Sequence, residues 1–218
     1  MLKNLVAVLI ITILFLNPVF ADGPTKGEQL AWTCFSCHGV NGVSQGPATP
    51  VIAGISENYI IGAMLSYKYA GDLDKASDVL EKHAELEDVR VQPRYSAMMN
   101  RIAKAYSLAE IRELAYYFSQ KEFIRPKQAY DKDAADKGKK LHKKYCEKCH
   151  EDWGTTTDDD VGLLAGQWKQ YLTFTLNDFA KGDRGMIKKM KKKMKRMLEK
   201  HGDESLEHLA HFYASKSE

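Results

Sequence analysis

The chain has 218 residues, 44% hydrophobic and 28% charged, with a formal net charge of +3. So mild a balance argues for neither nucleic acid nor an acidic membrane as a partner. With only four cysteines, any covalent or metal chemistry has to be sought in their spacing.

At the start, Met1-Leu2-Lys3-Asn4 places one positive charge before an apolar run from Leu5 to Leu16, which Asn17-Pro18 ends. That run is 12 residues long, whereas a spanning helix needs about 20. Val19 and Ala21 are small residues where a signal peptidase reads, so residues 1–21 read as a cleaved signal peptide, with a retained anchor as the alternative. Loss of Lys3 leaves +2 on the mature chain, and no stable membrane span is expected in it.

A helical segment from Thr25 to Trp32 leads into Cys34-Phe35-Ser36-Cys37-His38. A second, from Asp133 to Tyr145 with a lysine-rich face, leads into Cys146-Glu147-Lys148-Cys149-His150, and the two words use every cysteine in the chain. Two thiols three residues apart can add to the two vinyl groups of one porphyrin, and the adjoining histidine can then ligate its iron. Each word therefore reads as a covalent haem c site, through Cys34, Cys37 and His38 in the first and Cys146, Cys149 and His150 in the second. A thioredoxin-like pair needs no histidine there and would sit near a βαβ pattern, which is not found. A shared four-cysteine zinc site or two short disulfides would leave both histidines unexplained.

An internal repeat extends past the cysteines. Cys34 to Cys146 and His38 to His150 are offsets of 112, and the same offset carries Ala53-Gly54 onto Ala165-Gly166 and Tyr59 onto Tyr171. Each half closes with an amphipathic helix: Ile111, Leu114, Ala115 and Phe118 recur as Leu206, Leu209, Ala210 and Tyr213, at an offset of 95. Ser107, Glu110, Tyr106 and Ile111 give the first closing helix a capping box and a hydrophobic staple; the second begins less cleanly near Gly202-Asp203. No stretch reads as a strand. The expected architecture is all-α: two tandem c-type cytochrome domains over residues 22–121 and 134–218, joined by a linker at 122–133 that contains Pro126.

Candidate sixth ligands are thioethers. Met98 and Met99 precede the first closing helix, and Met186, Met190, Met194 and Met197 precede the second. Those four are spaced to share one helical face, so most of them should pack, and at most one methionine per half can reach iron. The histidines at 83, 142, 201, 208 and 211 read as surface or packing residues.

The words LHKKYCEKCH at 141–150, LAGQW at 164–168 with Tyr171-Leu172, RIAKAYS at 101–107 and HFYAS at 211–215 resemble the dihaem cytochrome subunit of flavocytochrome c sulfide dehydrogenase, over nearly the whole mature chain. The wider class of two-haem cytochromes c that feed oxidases shares the repeat and the LAGQ word. The resemblance implies a periplasmic electron-transfer subunit, without catalysis of its own. A flavoprotein sulfide dehydrogenase carrying FAD would donate electrons, and a soluble cytochrome c or other redox acceptor would take them. The family's methionine spacing favours Met99 over Met98, and Met190 over Met186 or Met194. The resemblance also places a carbonyl at Pro47 against the His38 imidazole.

The first half carries 21 extra residues between haem site and ligand, within 72–93, where seven residues are acidic and three basic, and Ala76 to Leu86 looks helical. A solvated surface elaboration and a partner contact are the two readings. The run from Lys188 to Arg196 holds seven Lys or Arg in nine positions, either a solvated helix face or a docking surface for an acidic redox partner.

Overall fold

The computed structural model describes residues 23–217, so the expected signal segment lies outside the described residues. Every regular element among them is helical. In the first half, α1 (Lys26–His38), α2 (Glu57–Lys68), α3 (Leu73–Glu81), α4 (Ala97–Lys104) and α5 (Leu108–Ser119) follow one another. In the second come α6 (Lys132–Tyr145), a short turn α7 (Glu151–Gly154), α8 (Lys169–Lys181), α9 (Lys188–His201) and α10 (Glu204–Ala214). No helix among the described residues is long and apolar enough to cross a membrane.

Each half is built on one crossing of its entry helix and its closing helix, α1 against α5 and α6 against α10. A glycine sets each crossing: a Cβ on Gly27 would lie 2.6 Å from the Glu113 carbonyl oxygen, and one on Gly138 would lie 2.0 Å from that of His208. Only hydrogen at those positions lets the backbones approach so closely. The apolar stripe of α5 buries Ile111, Leu114, Ala115 and Phe118, and that of α10 buries Leu206, Leu209, Ala210 and Tyr213. The α5 start follows its sequence signature, with Glu110 N–H donating to Ser107 Oγ at 3.3 Å and Ser107 N–H to Glu110 Oε2 at 2.8 Å. By contrast, Asp203 gives α10 no side-chain cap.

Some boundaries differ from the sequence reading. The first entry helix continues to His38, six residues past Trp32, so both thiols and the imidazole ride on α1. Helix α9 starts at Lys188, leaving Met186 ahead of the helix that carries Met190, Met194 and Met197. The insert is more than a solvated loop: Asp72 caps α3, a 3-10 turn follows at Ala84–Leu86, and Ala76, Leu86 and Val89 are buried in the first core. Those three anchors explain why an acidic segment folds, since its charges face outward while its few apolar residues join an existing core.

The halves meet at a junction of hydrogen bonds. Gln167, 1% exposed, pairs with Val51 in both directions, its Nε2 donating to the Val51 carbonyl at 3.0 Å and its Oε1 accepting the Val51 N–H at 2.9 Å. Trp168 Nε1 donates to the Ser44 carbonyl at 3.1 Å and Tyr171 N–H to the Pro47 carbonyl at 3.2 Å. From the linker, Gln128 spans the Gln167 carbonyl at 2.9 Å and the Lys169 N–H at 2.7 Å. Buried amides paired in this way fix one register, because a slip would strand polar groups away from water.

Candidate haem centres and their junction

In the first half the His38 ring is held by its Nδ1, 2.9 Å from the Pro50 carbonyl oxygen. A carbonyl only accepts, so Nδ1 carries the proton and Nε2 keeps its lone pair, the tautomer an iron ligand needs. Burial lowers the His38 pKa, with the Pro50 bond opposing it, which keeps the ring neutral. The carbonyl that holds the His38 ring is that of Pro50 and not of Pro47. The Pro47 carbonyl turns the other way, to Tyr171 N–H across the junction.

The second centre is arranged differently. His150 Nδ1 is buried with no hydrogen-bond partner among the described residues, and burial, aided by nearby His142, pushes its pKa down to about 4. His142, fully buried, puts Nδ1 2.9 Å from the Tyr213 hydroxyl and Nε2 against Glu147. It is a polar member of the second core, where it touches the rings of Trp153, Phe212 and Tyr213.

All four thiols are free, Cys37 and Cys149 exposed, Cys34 and Cys146 half-buried. Burial raises the Cys34 thiol and pushes Cys146 up to about 11. No three His, Cys, Asp or Glu side chains gather into a metal cluster among the described residues. Of the methionines, Met99 is half-buried against the first core while its neighbour Met98 is 60% exposed. Met186 and Met190 are half-buried against the second core, whereas Met194 and Met197 lie inside it.

Each half thus offers two free thiols, a neutral imidazole and a half-buried thioether, a donor set that fits covalent haem c. Sequence reasoning missed Pro50, the hydrogen bonding of His142 to Tyr213 and Glu147, and two junction arginines, Arg94 and Arg184. A signal existed for the arginines: each stands shortly before its half's candidate thioether, Arg94 five residues before Met99 and Arg184 six before Met190.

Residues 24–121 match the cytochrome c family. Cytochrome c4 of Azotobacter vinelandii is 28% identical over 179 residues, 75% of this chain and 75% of that protein. Among solved structures, reduced recombinant cytochrome c4 from Pseudomonas stutzeri superposes with a TM-score of 0.65 at 24% identity, covering 86% of this chain and 95% of that one. Cytochrome c4 from Acidithiobacillus ferrooxidans gives 0.62 at 22% identity, over 84% of this chain and 98% of that one. Thiosulfate dehydrogenase from Marichromatium purpuratum gives 0.67 at 18% identity over 88% of this chain, which spans 40% of that structure's chain. The chain is thus similar to cytochrome c over residues 24–121, shares the all-helical fold of the dihaem cytochromes c4, and carries two CxxCH words that fit two covalent haem c groups.

Proposed function

We propose that the mature chain is a periplasmic electron relay, the dihaem subunit that accepts electrons from an FAD-containing sulfide dehydrogenase and passes them to a soluble acceptor. The supporting observation is that two CxxCH sites, each on its own core, are joined in one chain through the buried Gln167–Val51 junction, an arrangement suited to carrying electrons in series. The flavoprotein as donor rests on the sequence words LHKKYCEKCH, LAGQW and RIAKAYS. Bound haem would supply a one-electron iron couple.

Cys34 and Cys37 would tether the first haem, with His38 and Met99 holding its iron; Cys146 and Cys149 would tether the second, with His150 and Met190. An iron held by two protein ligands in this way would have no free site for bond chemistry. Met99 is favoured over exposed Met98 because a thioether ligand must be shielded from water, and Met190 over Met194 because Met194 is already packed in the core. Pro50 holds the first imidazole in place.

The second half carries the basic face. Lys144, Lys193, Arg196 and Lys200, with Tyr145 and Glu199, line a hollow of about 600 Å³ between α6 and α9. Such a surface suits an acidic redox partner and would make encounters faster at low salt. The acidic insert belongs to the first half, so the two halves differ in the sign of their charge.

A second reading, a free-standing shuttle to a terminal oxidase, is supported by the likeness to cytochrome c4. Affinity purification of the tagged mature protein from periplasm separates the two. A flavoprotein recovered with it, with sulfide-dependent reduction of the haems, supports the subunit. A flavin-free dihaem protein that oxidase membranes reoxidise rapidly would replace it with the shuttle.

A further inference from the structure

Two exposed helix faces carry opposite charge at matching spacings. On α3, Ala76 is buried and Val79 and Leu80 pack against the first core, which leaves Asp74, Asp78 and Glu81 exposed as one stripe at i, i+4 and i+7. On α9, Met194 and Met197 are buried and Met190 packs against the second core, which leaves Lys189, Lys192 and Arg196 exposed at i, i+3 and i+7. Read backwards, the second spacing is the first. An antiparallel pairing therefore sets Asp74 against Arg196, Asp78 against Lys192 and Glu81 against Lys189, along stripes each about 10 Å long. None of these six residues forms an ion pair among the described residues. Their neighbours do: Lys75 pairs with Asp72 at 2.7 Å and Lys195 with Glu199 at 3.7 Å, both outside the stripes.

Residues 188–196 hold seven Lys or Arg and no acidic residue, so α9 sets like charges three and four residues apart along its length, which destabilises a helix. Carboxylates laid beside it would relieve that repulsion. A partner that fits this face needs acidic groups at the pitch of a helix, and the chain itself carries such a surface. Across the whole molecule the same asymmetry holds: residues 22–125 contain 11 basic and 13 acidic residues, residues 126–218 contain 20 and 16. The register that carries Met99 onto Met190 also carries Ala97, the start of α4, onto Lys188, the start of α9. Helix α3 therefore has no counterpart in the second half, and the acidic stripe belongs to the first half alone. A contact between the two stripes of separate molecules uses a different surface on each, so it is heterologous and can repeat from copy to copy.

We propose that α3 of one molecule docks antiparallel along α9 of a second copy of this chain, joining the first half of each molecule to the second half of its neighbour. Exposed ion pairs are weak singly and are screened by salt, so the association is transient and confined to low ionic strength. Arg196 also borders the hollow between α6 and α9, so an acidic acceptor docked there would compete with the second copy. The contact is read on the purified protein alone, and its failure would leave the choice of electron donor and acceptor untouched.

The test uses the holoprotein, with haem content per chain checked first in every variant. D74K/D78K/E81K reverses one stripe and K189E/K192E/R196E the other. Sedimentation equilibrium at about 10 mM salt, where charges act over about 30 Å, should show a wild-type mass that rises with concentration above that of the monomer; at about 1 M salt, where they act over about 3 Å, the protein should be monomeric. Each reversed variant alone should stay monomeric at low salt, because like stripes then meet. Mixing the two variants, or placing both reversals in one chain, should restore association. A carbodiimide, which joins carboxylates to amines without a spacer, should link Asp74, Asp78 or Glu81 to Lys189 or Lys192 between isotopically light and heavy copies of the wild type. Wild type that is monomeric at every salt concentration would overturn the proposal, as would association that survives either reversal, or reversed variants that fail to associate when mixed. A monomeric wild type that binds vesicles of anionic phospholipid, and loses them in K189E/K192E/R196E, would give the α9 face to a lipid surface instead. Should that variant lose a haem, D74K/D78K/E81K and the wild-type cross-links decide the matter, since α3 carries none of the candidate haem residues.

Discussion

In the first half, α1 runs unbroken through Cys34, Cys37 and His38, and the imidazole is pinned by Pro50. In the second, α6 stops at Tyr145, where the N–H groups of Cys146 and Glu147 both reach back to the His142 carbonyl, at 2.8 and 2.9 Å. The cause can be counted: seven residues separate Gly27 from Cys34, but eight separate Gly138 from Cys146. One extra residue between the helix crossing and the first thiol cannot be absorbed by a regular helix, so the last turn widens and the Glu147 N–H reaches back five residues. By the crossing register Ala31 corresponds to His142, and by the closing helices Phe118 corresponds to Tyr213. An apolar pair in one half thus becomes a hydrogen-bonded pair in the other. Duplication has kept the spacing that haem chemistry needs while the local means of holding it has diverged.

Four experiments sharpen or break that comparison, starting with the largest effect. The double variants C34A/C37A and C146A/C149A should each lose one covalent haem, counted by pyridine haemochrome, and with it the cooperative unfolding of that half, because a small core loses the group it folds around. Retention of two covalent haems in either variant would end the two-site account. Next, a methyl group at a helix crossing has no room. G138A should cost about 3 kcal/mol or more and G27A less, in line with the 2.0 and 2.6 Å approaches, as measured by chemical denaturation. Equal costs would show that the two crossings are equally tight.

A third experiment exchanges the divergent aromatic pair. Y213F should cost about 1 kcal/mol by losing its bond to His142, whereas F118Y buries a hydroxyl beside Ala31 and should cost about 1–3 kcal/mol. Should F118Y prove neutral, the apolar first core is less exacting than its burial implies.

The smallest effect concerns pH. Burial lowers the His142 pKa in the folded chain, with the Glu147 bond opposing it. The unfolded chain then takes up a proton below its ordinary histidine pKa, near 6.5, that the folded chain refuses. Stability from this source is complete above that pH and is lost as pH falls toward the lowered folded value. Thermal melts of the holoprotein should show the second half more acid-sensitive than the first, and H142A should flatten its slope. An unchanged slope would move the effect to His211, whose pKa burial also lowers.

Much of this molecule could be read without coordinates. The CxxCH words, the offsets of 112 and 95 and the α5 capping box are local patterns, and local patterns survive in sequence because spacing and periodicity alone create them. Pro50 was hidden because a backbone carbonyl has no residue signature, and the Pro47 expectation missed by three positions in a loop whose path the other half decides. The insert read as solvated because its charges outnumber Ala76, Leu86 and Val89, yet those three were enough to seat it.

By itself the sequence determined that there are two haem sites, that they arose in register, and that every framework element is a helix, since each follows from residue type and spacing along one chain. Only the tertiary structure decided what joins them. Arg94, Arg184, Tyr59 and Gln167 lie far apart in the chain, and polar groups like these need one another only when folding has removed the water that would otherwise have satisfied them.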